Sequence, residues 1–274
     1  MISASIVLYN TKESQLEAVI RSYAPGPGRR LYLIDNSPRR SSYAERLSDE
    51  NIEYLFNNAN IGYGTAHNIG LRKAVAAGSE YHIVLNPDLV FAPKIIDRLM
   101  EYADKHQDVV YMLPKVLYPD GQIQYLCKLL PTPADLIFRR FLPKTRWAVK
   151  QNEKYELRQS GYDKIINPPC LSGCFMFLRV ETLREHNLLF DEGYFMYCED
   201  FDFMRRLHRY GKTIYYPEVS IVHDHAQESY KNKKMLRLHI RSAVRYFNKF
   251  GWLFDRERRQ MNRQILSELQ RMSS

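Results

Sequence analysis

The sequence predicts an α/β protein with a mainly parallel sheet flanked by helices, and three observations carry that expectation. Short β-branched runs alternate with stretches of helical periodicity through the N-terminal half. Those runs end repeatedly in Asn or Asp at a turn, and no internal repeat or low-complexity stretch interrupts them.

The first run, "ISASIVLYN" (2–10), alternates small and β-branched residues and stops at Asn10, while "TKESQLEAVIRSY" (11–23) brings Leu16, Val19 and Ile20 to helical spacing. A second strand, "RRLYLIDNSP" (29–38), ends in a turn cluster. "NIEYLFNNANIGYGTAHN" (51–68) reads as a short strand and a polar, glycine-bearing loop, and "IGLRKAVAAG" (69–78) as a helix closed by Gly78. The next strand is "YHIVLNPD" (81–88), and a helix follows Lys94. Strands and helices at this spacing require crossover connections, which collect ligands at the carboxyl ends of the strands. Asn10, Asp35, Asn36 and Asp88 all fall at such ends.

Beyond residue 108, "VVYMLPKVLYPDGQIQYL" (109–126) reads as two strands joined by the Pro119-Asp120-Gly121 turn. Residues 127–165 are basic and poorly periodic, a long and mobile segment by expectation. Order resumes with a strand and helix in "CLSGCFMFLRVETLREHN" (170–187), and "GYFMYCEDFDFMRRLHRYGK" (193–212) sets acids at a helix start. "SIVHDHAQES" (220–229) is a strand ending in His223 and His225, and from about residue 230 the chain reads as amphipathic, basic helix to its end.

Composition narrows the function. The 274 residues are 45% hydrophobic and 13% aromatic, enough for a large core. A formal charge of +9 and a pI near 9.3 favour an anionic partner: a nucleotide, a nucleic acid or an acidic membrane surface. Cys127, Cys170, Cys174 and Cys198 fit buried, reduced thiols better than a disulfide scaffold. The amino terminus lacks the pattern of a secretion signal, and no run of about 18 uncharged apolar residues occurs. A cytoplasmic protein, at most lying on a membrane, is the expectation.

Three groups of residues suggest chemistry, each with a plainer alternative. Asp88, at a strand's carboxyl end, is placed to hold a divalent cation, although Asn-Pro-Asp is also ordinary turn chemistry. Glu199 and Asp200, with Asp202, favour a helix dipole, yet after "YFMYC" a partly desolvated carboxylate would gain the basicity of a general base. His223 and His225 could supply an imidazole ligand or simply lie at the surface. A nucleic-acid binder would leave these carboxylates without a task. A dinucleotide oxidoreductase would need a G-x-G-x-x-G turn after the first strand, where "YNTKESQ" stands instead.

Taken in order, these motifs resemble the family 2 glycosyltransferases of the GT-A fold, and within them the bacterial rhamnosyltransferases of O-antigen and capsular polysaccharide synthesis. "SIVLYN" resembles the opening strand, "LIDNSP" the turn at base and ribose, and "NNANIGYGTAHNIGL" the Asn-x-Gly…Asn loop. "LNPDL" corresponds to the DxD metal motif with Asn86 for its first aspartate, "LSGCFMFLR" to the strand beneath the donor sugar, "FDEGYFMYCEDFDFMRRL" to the ED motif, and "IVHDHAQES" to the late histidine. The resemblance implies a Rossmann-like sheet and nucleotide contacts from Tyr9, Asn10, Asp35, Asn36, Asn60, Gly62, Asn68 and Asn86. It further implies sugar contacts from Ser172 and Gly173, catalysis by Asp200 with Glu199, and Mg2+ or Mn2+ held by Asp88 and His223, more weakly for want of the charge at Asn86.

The implied reaction is inverting transfer of a sugar, foremost L-rhamnose from dTDP-L-rhamnose, onto a saccharide linked to polyprenyl diphosphate. Another nucleotide sugar, or an inactive sugar-nucleotide binder, stands as the alternative. The implied halves are a nucleotide-sugar part (1–115), an acceptor and catalytic part (116–229) and a helical extension (230–274). That extension suits the inner face of a bacterial plasma membrane. Its stripe of Leu236, Ile240, Val244 and Phe247 reads equally as a face packed on the catalytic part or on a second subunit of a homodimer.

Overall fold

The computed structural model describes residues 1–136, 145–224 and 233–273. The chain order is β1 (Ile2–Leu8), α1 (Glu13–Tyr23), β2 (Arg29–Asp35), α2 (Ser42–Arg46), β3 (Ile52–Phe56), α3 (Tyr63–Ala76), β4 (Tyr81–Leu85), β5 (Leu89–Val90) and α4 (Lys94–Lys105). It continues with β6 (Val109–Leu117), α5 (Arg146–Tyr155), β7 (Phe175–Arg179), α6 (Val180–Glu185), α7 (Glu199–Leu207), β8 (Lys212–His223), α8 (Lys233–Phe250) and α9 (Arg256–Ser273). All eight strands join one sheet in the order β3-β2-β1-β4-β7-β6-β8-β5. Strands β1 to β4 pair in parallel, as do β6 and β8, while β7 runs antiparallel between β4 and β6.

Helices cover both faces, so the central strands are buried on both sides and carry apolar runs in place of strict alternation. Ile2, Ala4, Ile6 and Leu8 of β1 are buried, and so are Ser3 and Ser5 on its other face. The two hydroxyls satisfy a buried imidazole pair: Ser3 Oγ meets His82 Nδ1 at 2.8 Å, and Ser5 Oγ meets His82 Nε2 at 2.9 Å and His67 Nδ1 at 2.8 Å. Desolvation holds both rings neutral, with His82 lowered to about 3.

Several sequence expectations are corrected. The hairpin expected over 109–126 is a single long strand, β6, whose turn at 118–121 returns only as an isolated bridge from Leu117 to Ile123. The helix expected over 69–78 begins at Tyr63, because packing of its first turn overrides the glycines there. The segment expected to lack structure over 127–165 contains α5, capped by Thr145 Oγ1 accepting from Ala148 N–H. The expected C-terminal helical extension is two helices, α8 and α9, separated at Gly251, whose φ of 104° an L side chain rarely adopts. Its expected stripe is turned inward only in part: Phe247 is buried and Leu236 half-buried, with Ser242 and Tyr246 buried beside them, whereas Ile240 and Val244 are exposed. All four cysteines are free and buried, as expected.

The C-terminal helices grip α7 through a buried ion pair. Arg205 donates bidentately to Asp255 at 2.6 Å, with both side chains 2% exposed, and reaches Glu257 at 2.7 Å. Asn262 exchanges two hydrogen bonds with the backbone of Leu130, and Ser242 Oγ donates to Met196 O at 2.7 Å. Removing one member of a buried pair strands the other charge. Asp255→Ala is therefore expected to lower stability by about 3 kcal/mol, with Glu257 retaining part of the pairing, as read from urea denaturation midpoints.

Candidate active site

The site grows from the edge where β4 ends and β7 begins. Asn86 N–H donates to Cys174 O at 2.9 Å, so the antiparallel register sets Ser172 and Gly173 beside the turn from Asn86 to Asp88. The short β5 then pairs Leu89 with His223 of β8, and Asp224 N–H donates to Asp88 O at 3.1 Å. Asp88 and His223 are thereby brought face to face, Oδ1 to Nε2 at 3.3 Å.

His223 is held by a residue not singled out from sequence. Gln124 donates through Nε2 to His223 O at 2.7 Å, and its Oε1 lies 3.0 Å from His223 Nδ1. An amide oxygen only accepts, so the proton sits on Nδ1 and Nε2 is turned toward Asp88. An acceptor on the far ring nitrogen orients an imidazole for a cation. Burial works against a charged ring here, but the Cys174 sulfur and the Asp88 carboxylate outweigh it and raise His223 to about 10. Asp88 Oδ1 is itself buried and accepts no hydrogen bond of good geometry. A place that so favours positive charge, with an oxygen and a nitrogen donor turned to each other, fits a divalent cation completed by substrate phosphate oxygens. Among the described residues, no group of three His, Cys, Asp or Glu side chains makes a closed metal cage.

Tyr63 joins this edge to the carboxylates at the start of α7. Its hydroxyl lies 3.0 Å from Asn86 Oδ1 and 2.7 Å from Gly173 O, a single proton shared between two acceptors. Burial first, then Cys174, Glu199, Asp200 and Asp88, raise its pKa well above the ordinary phenol range, so it stays a donor. Gly62 precedes it at φ 94°, where a Cβ would stand 2.5 Å from Phe195 O, and Tyr63 N–H donates to that same oxygen at 3.1 Å. Only glycine allows this approach.

Two consecutive non-glycine residues with positive φ, Tyr197 at 70° and Cys198 at 63°, turn the chain into α7. The turn delivers Glu199 and Asp200 to the first helical positions. A Cβ on Gly173 would lie 3.4 Å from Asp200 Cβ, so the Ser172–Gly173 segment runs directly against that carboxylate. Burial, then Asp200, raises the Glu199 pKa, and Glu199 Oε2 has no hydrogen-bond partner. Burial also raises Asp200, opposed by the Lys128 ammonium and by backbone N–H groups that include that of Phe201 at 2.9 Å. Asp202 is different in kind: fully buried, it is paired with Arg206 and Lys249 at 2.6 Å each.

The residues expected at the nucleotide divide into two groups. Tyr9 is 53% exposed, and Asn10, in the left-handed region, donates its N–H to Ser37 Oγ at 2.9 Å. Asn36 Nδ2 reaches Gly62 O at 3.1 Å and Asn60 Oδ1 at 3.5 Å, knitting β2 to the loop before α3. Asp35 and Asn68, like Asn36, whose Oδ1 accepts from Asn57 Nδ2 at 2.8 Å, have their polar atoms committed internally. Asp35 accepts from Ser37 N–H, Ser41 N–H and the Tyr54 hydroxyl, and Asn68 bonds both backbone groups of Phe190. His225 lies outside the described residues. Tyr63, Gln124 and Lys128 escaped the sequence reading; only Tyr63 carried a signal, its place between two glycines.

Residues 3–185 match the sequence profile of glycosyl transferase family 2. The chain belongs to this family. The N-acetylglucosaminyl-diphospho-decaprenol L-rhamnosyltransferase of Mycobacterium tuberculosis is 28% identical over 243 residues, spanning 78% of this chain and 77% of that protein. The rhamnosyltransferase WbbL of Escherichia coli is 27% identical over 196 residues, 67% of this chain and 70% of its own. The crystal structure of GalNAc-T7 with UDP, GalNAc and Mn2+ superposes with a TM-score of 0.61 at 17% identity, over 89% of this chain; the chain spans about half of that protein, 47%. The fold is thus that of the GT-A glycosyltransferases, and the protein is a family 2 glycosyltransferase.

In this glycosyltransferase Tyr63→Phe leaves Asn86 Oδ1 and Gly173 O without their shared donor, a loss of about 1–3 kcal/mol. The expected result is a fall in kcat/KM of roughly ten- to a hundredfold with the fold retained, checked by steady-state nucleoside diphosphate release beside circular dichroism.

Proposed function

We propose that this enzyme transfers L-rhamnose from dTDP-L-rhamnose, with inversion, onto a saccharide carried on polyprenyl diphosphate. The observation that carries the reading is the opposition, around the Tyr63 hydroxyl, of a half-buried Asp200 and the Asp88–His223 pair. One side offers a base and the other a point that favours positive charge. The donor assignment is supported by the two relatives named as rhamnosyltransferases.

In the proposed reaction Asp200 takes the proton of an acceptor hydroxyl as its oxygen bonds to the anomeric carbon. The bond from that carbon to the phosphate oxygen breaks, and dTDP leaves from the opposite face. A β-linked donor thus yields an α-rhamnoside. Mg2+ or Mn2+, held by Asp88 and His223, would neutralise the charge that develops on the departing diphosphate. Glu199 stands beside it with its own pKa raised by burial and then by Asp200, while burial, opposed by Lys128, makes Asp200 a stronger base. Tyr9, Asn10, Asn36, Asn60 and Gly62 border the nucleotide side, and Ser172 and Gly173 lie beneath the sugar.

Asp200→Asn is expected to reduce turnover by about 10²–10⁴-fold while nucleotide binding persists; retained turnover would remove Asp200 from its role. The acidic limb of the wild-type kcat/KM profile is expected above the ordinary aspartate value of 3.8, because a base of raised pKa is protonated, and inactive, to a higher pH.

A panel of nucleotide sugars, with a lipid-linked N-acetylhexosamine acceptor and with Mg2+, Mn2+ or EDTA, tests donor and metal together. Metal-dependent release of dTDP from dTDP-L-rhamnose alone is expected. Release only from a UDP- or GDP-sugar would overturn the donor, and full activity of Asp88→Ala in EDTA would overturn the metal site.

A further inference from the structure

At the corner between α8 and α9, Trp252, Leu253 and Phe254 stand 43%, 70% and 88% exposed. Three consecutive large apolar side chains in water are unfavourable, yet the backbone beneath them is firmly built. Gly251 N–H donates to Phe247 O at 2.8 Å, Trp252 Nε1 donates to Asn248 Oδ1 at 2.8 Å, and the Trp252 ring packs 5.2 Å from that of Phe247. Asp255, the next residue, is anchored by the buried Arg205 pair. The prong is thus held outward on a rigid base.

Arginines follow it along α9. Arg259 Nη2 donates to Leu253 O at 3.1 Å, and Arg256, Arg259, Arg263 and Arg271 line one side of a shallow groove of about 440 Å³ along α9. Arg259 and Arg263 also border a cavity of about 740 Å³ shared with Trp147, itself 52% exposed. Of the nearby carboxylates, Glu257 is tied to Arg205 and Arg209, and Asp135, in the larger cavity, accepts from Thr132. An apolar wedge followed on its C-terminal side by the guanidinium groups of α9 matches the boundary between lipid phosphates and acyl chains. A second copy of the chain would set arginines against arginines. Among the described residues no helix is long and apolar enough to cross a membrane, so the contact is with the surface.

We propose that Trp252, Leu253 and Phe254 insert into the headgroup layer of an anionic bilayer, with Arg256, Arg259 and Arg263 on lipid phosphates. This deepens the lipid-linked acceptor reading, on which its purpose rests, although the binding itself is independent of the donor sugar.

Flotation of the full chain with vesicles of phosphatidylcholine, alone or mixed with phosphatidylglycerol, is the test. Wild type is expected to float with the mixed vesicles only, and Trp252 emission, recorded in a Trp147→Phe background, to shift to the blue. Combined Trp252→Ser, Leu253→Ser and Phe254→Ser is expected to weaken binding at least about tenfold while transfer to a water-soluble acceptor analogue continues. Combined R256E, R259E and R263E is expected to abolish the preference for phosphatidylglycerol. Equal flotation of the triple-serine variant and wild type would overturn the proposal. So would a wild type that ignores vesicles but sediments as a dimer that the serines dissociate, which would identify a second copy as the occupant. Vesicle binding as expected, with no transfer from any donor, would remove the rhamnosyl reading and leave the surface assignment standing.

Discussion

The reversal of β7 is the constraint on which the site depends. In a wholly parallel sheet every strand would start at the edge remote from the ligand, and the segment before β7 would be carried away from Asn86 and Asp88. Antiparallel pairing with β4, Phe175 opposite Leu85, starts β7 at the functional edge. The Ser172–Gly173 turn therefore meets the end of β4, and Asp200 can close against Gly173. The parallel pairing of β6 with β8 then brings His223 to the same edge, where β5 locks it to the Asp88 turn.

That geometry gathers Asp88, Glu199 and Asp200 around one phenol, and repulsion among them must be met locally. Burial raises both residues at the start of α7, with Asp200 adding to the rise of Glu199, Lys128 draws Asp200 back, and against its burial His223 is raised to about 10 by the Cys174 sulfur and Asp88. Asn86 fits this balance. Its amide accepts from Tyr63 and turns Nδ2 toward His223 at 3.4 Å, where a carboxylate would add a further negative charge. A neutral residue at this position keeps the Tyr63 link and leaves Asp88 as the turn's anionic donor.

Most of the strand–helix alternation was legible because periodicity and turn residues are local signals, and Asp88, Glu199 and Asp200 were legible as acids after apolar runs. What escaped depends on contacts distant in sequence. Tyr63 matters only because β7 brings Gly173 to it, 110 positions away, and Gln124 matters because β8 brings His223, 99 positions away. Neither partner is visible in the residue's own neighbourhood. Asp35 and Asn68 carry the converse ambiguity. A polar residue at a strand end or in a loop has the same local signature whether its atoms face a ligand or satisfy a turn and a neighbouring backbone, as Asp35 and Asn68 do. The partial burial of the α8 stripe is a third case, because helical periodicity identifies an apolar face without identifying what covers it.

The left-handed pair Tyr197–Cys198 persists only if its surroundings over-determine it. Those surroundings are largely C-terminal. Ser242 bonds Met196, Tyr246 and Phe247 pack in one buried cluster with Tyr194, Cys198 and Phe201, Lys249 meets Asp202, and Arg205 is locked to Asp255. Helices α8 and α9 are therefore part of the framework of this turn, and trimming them would loosen the placement of Glu199 and Asp200. The exposed prong begins two residues after α8 and abuts Asp255, the residue that clamps α7. The corner that carries the prong and the turn that carries Glu199 and Asp200 therefore rest on the same buried ion pair and aromatic cluster.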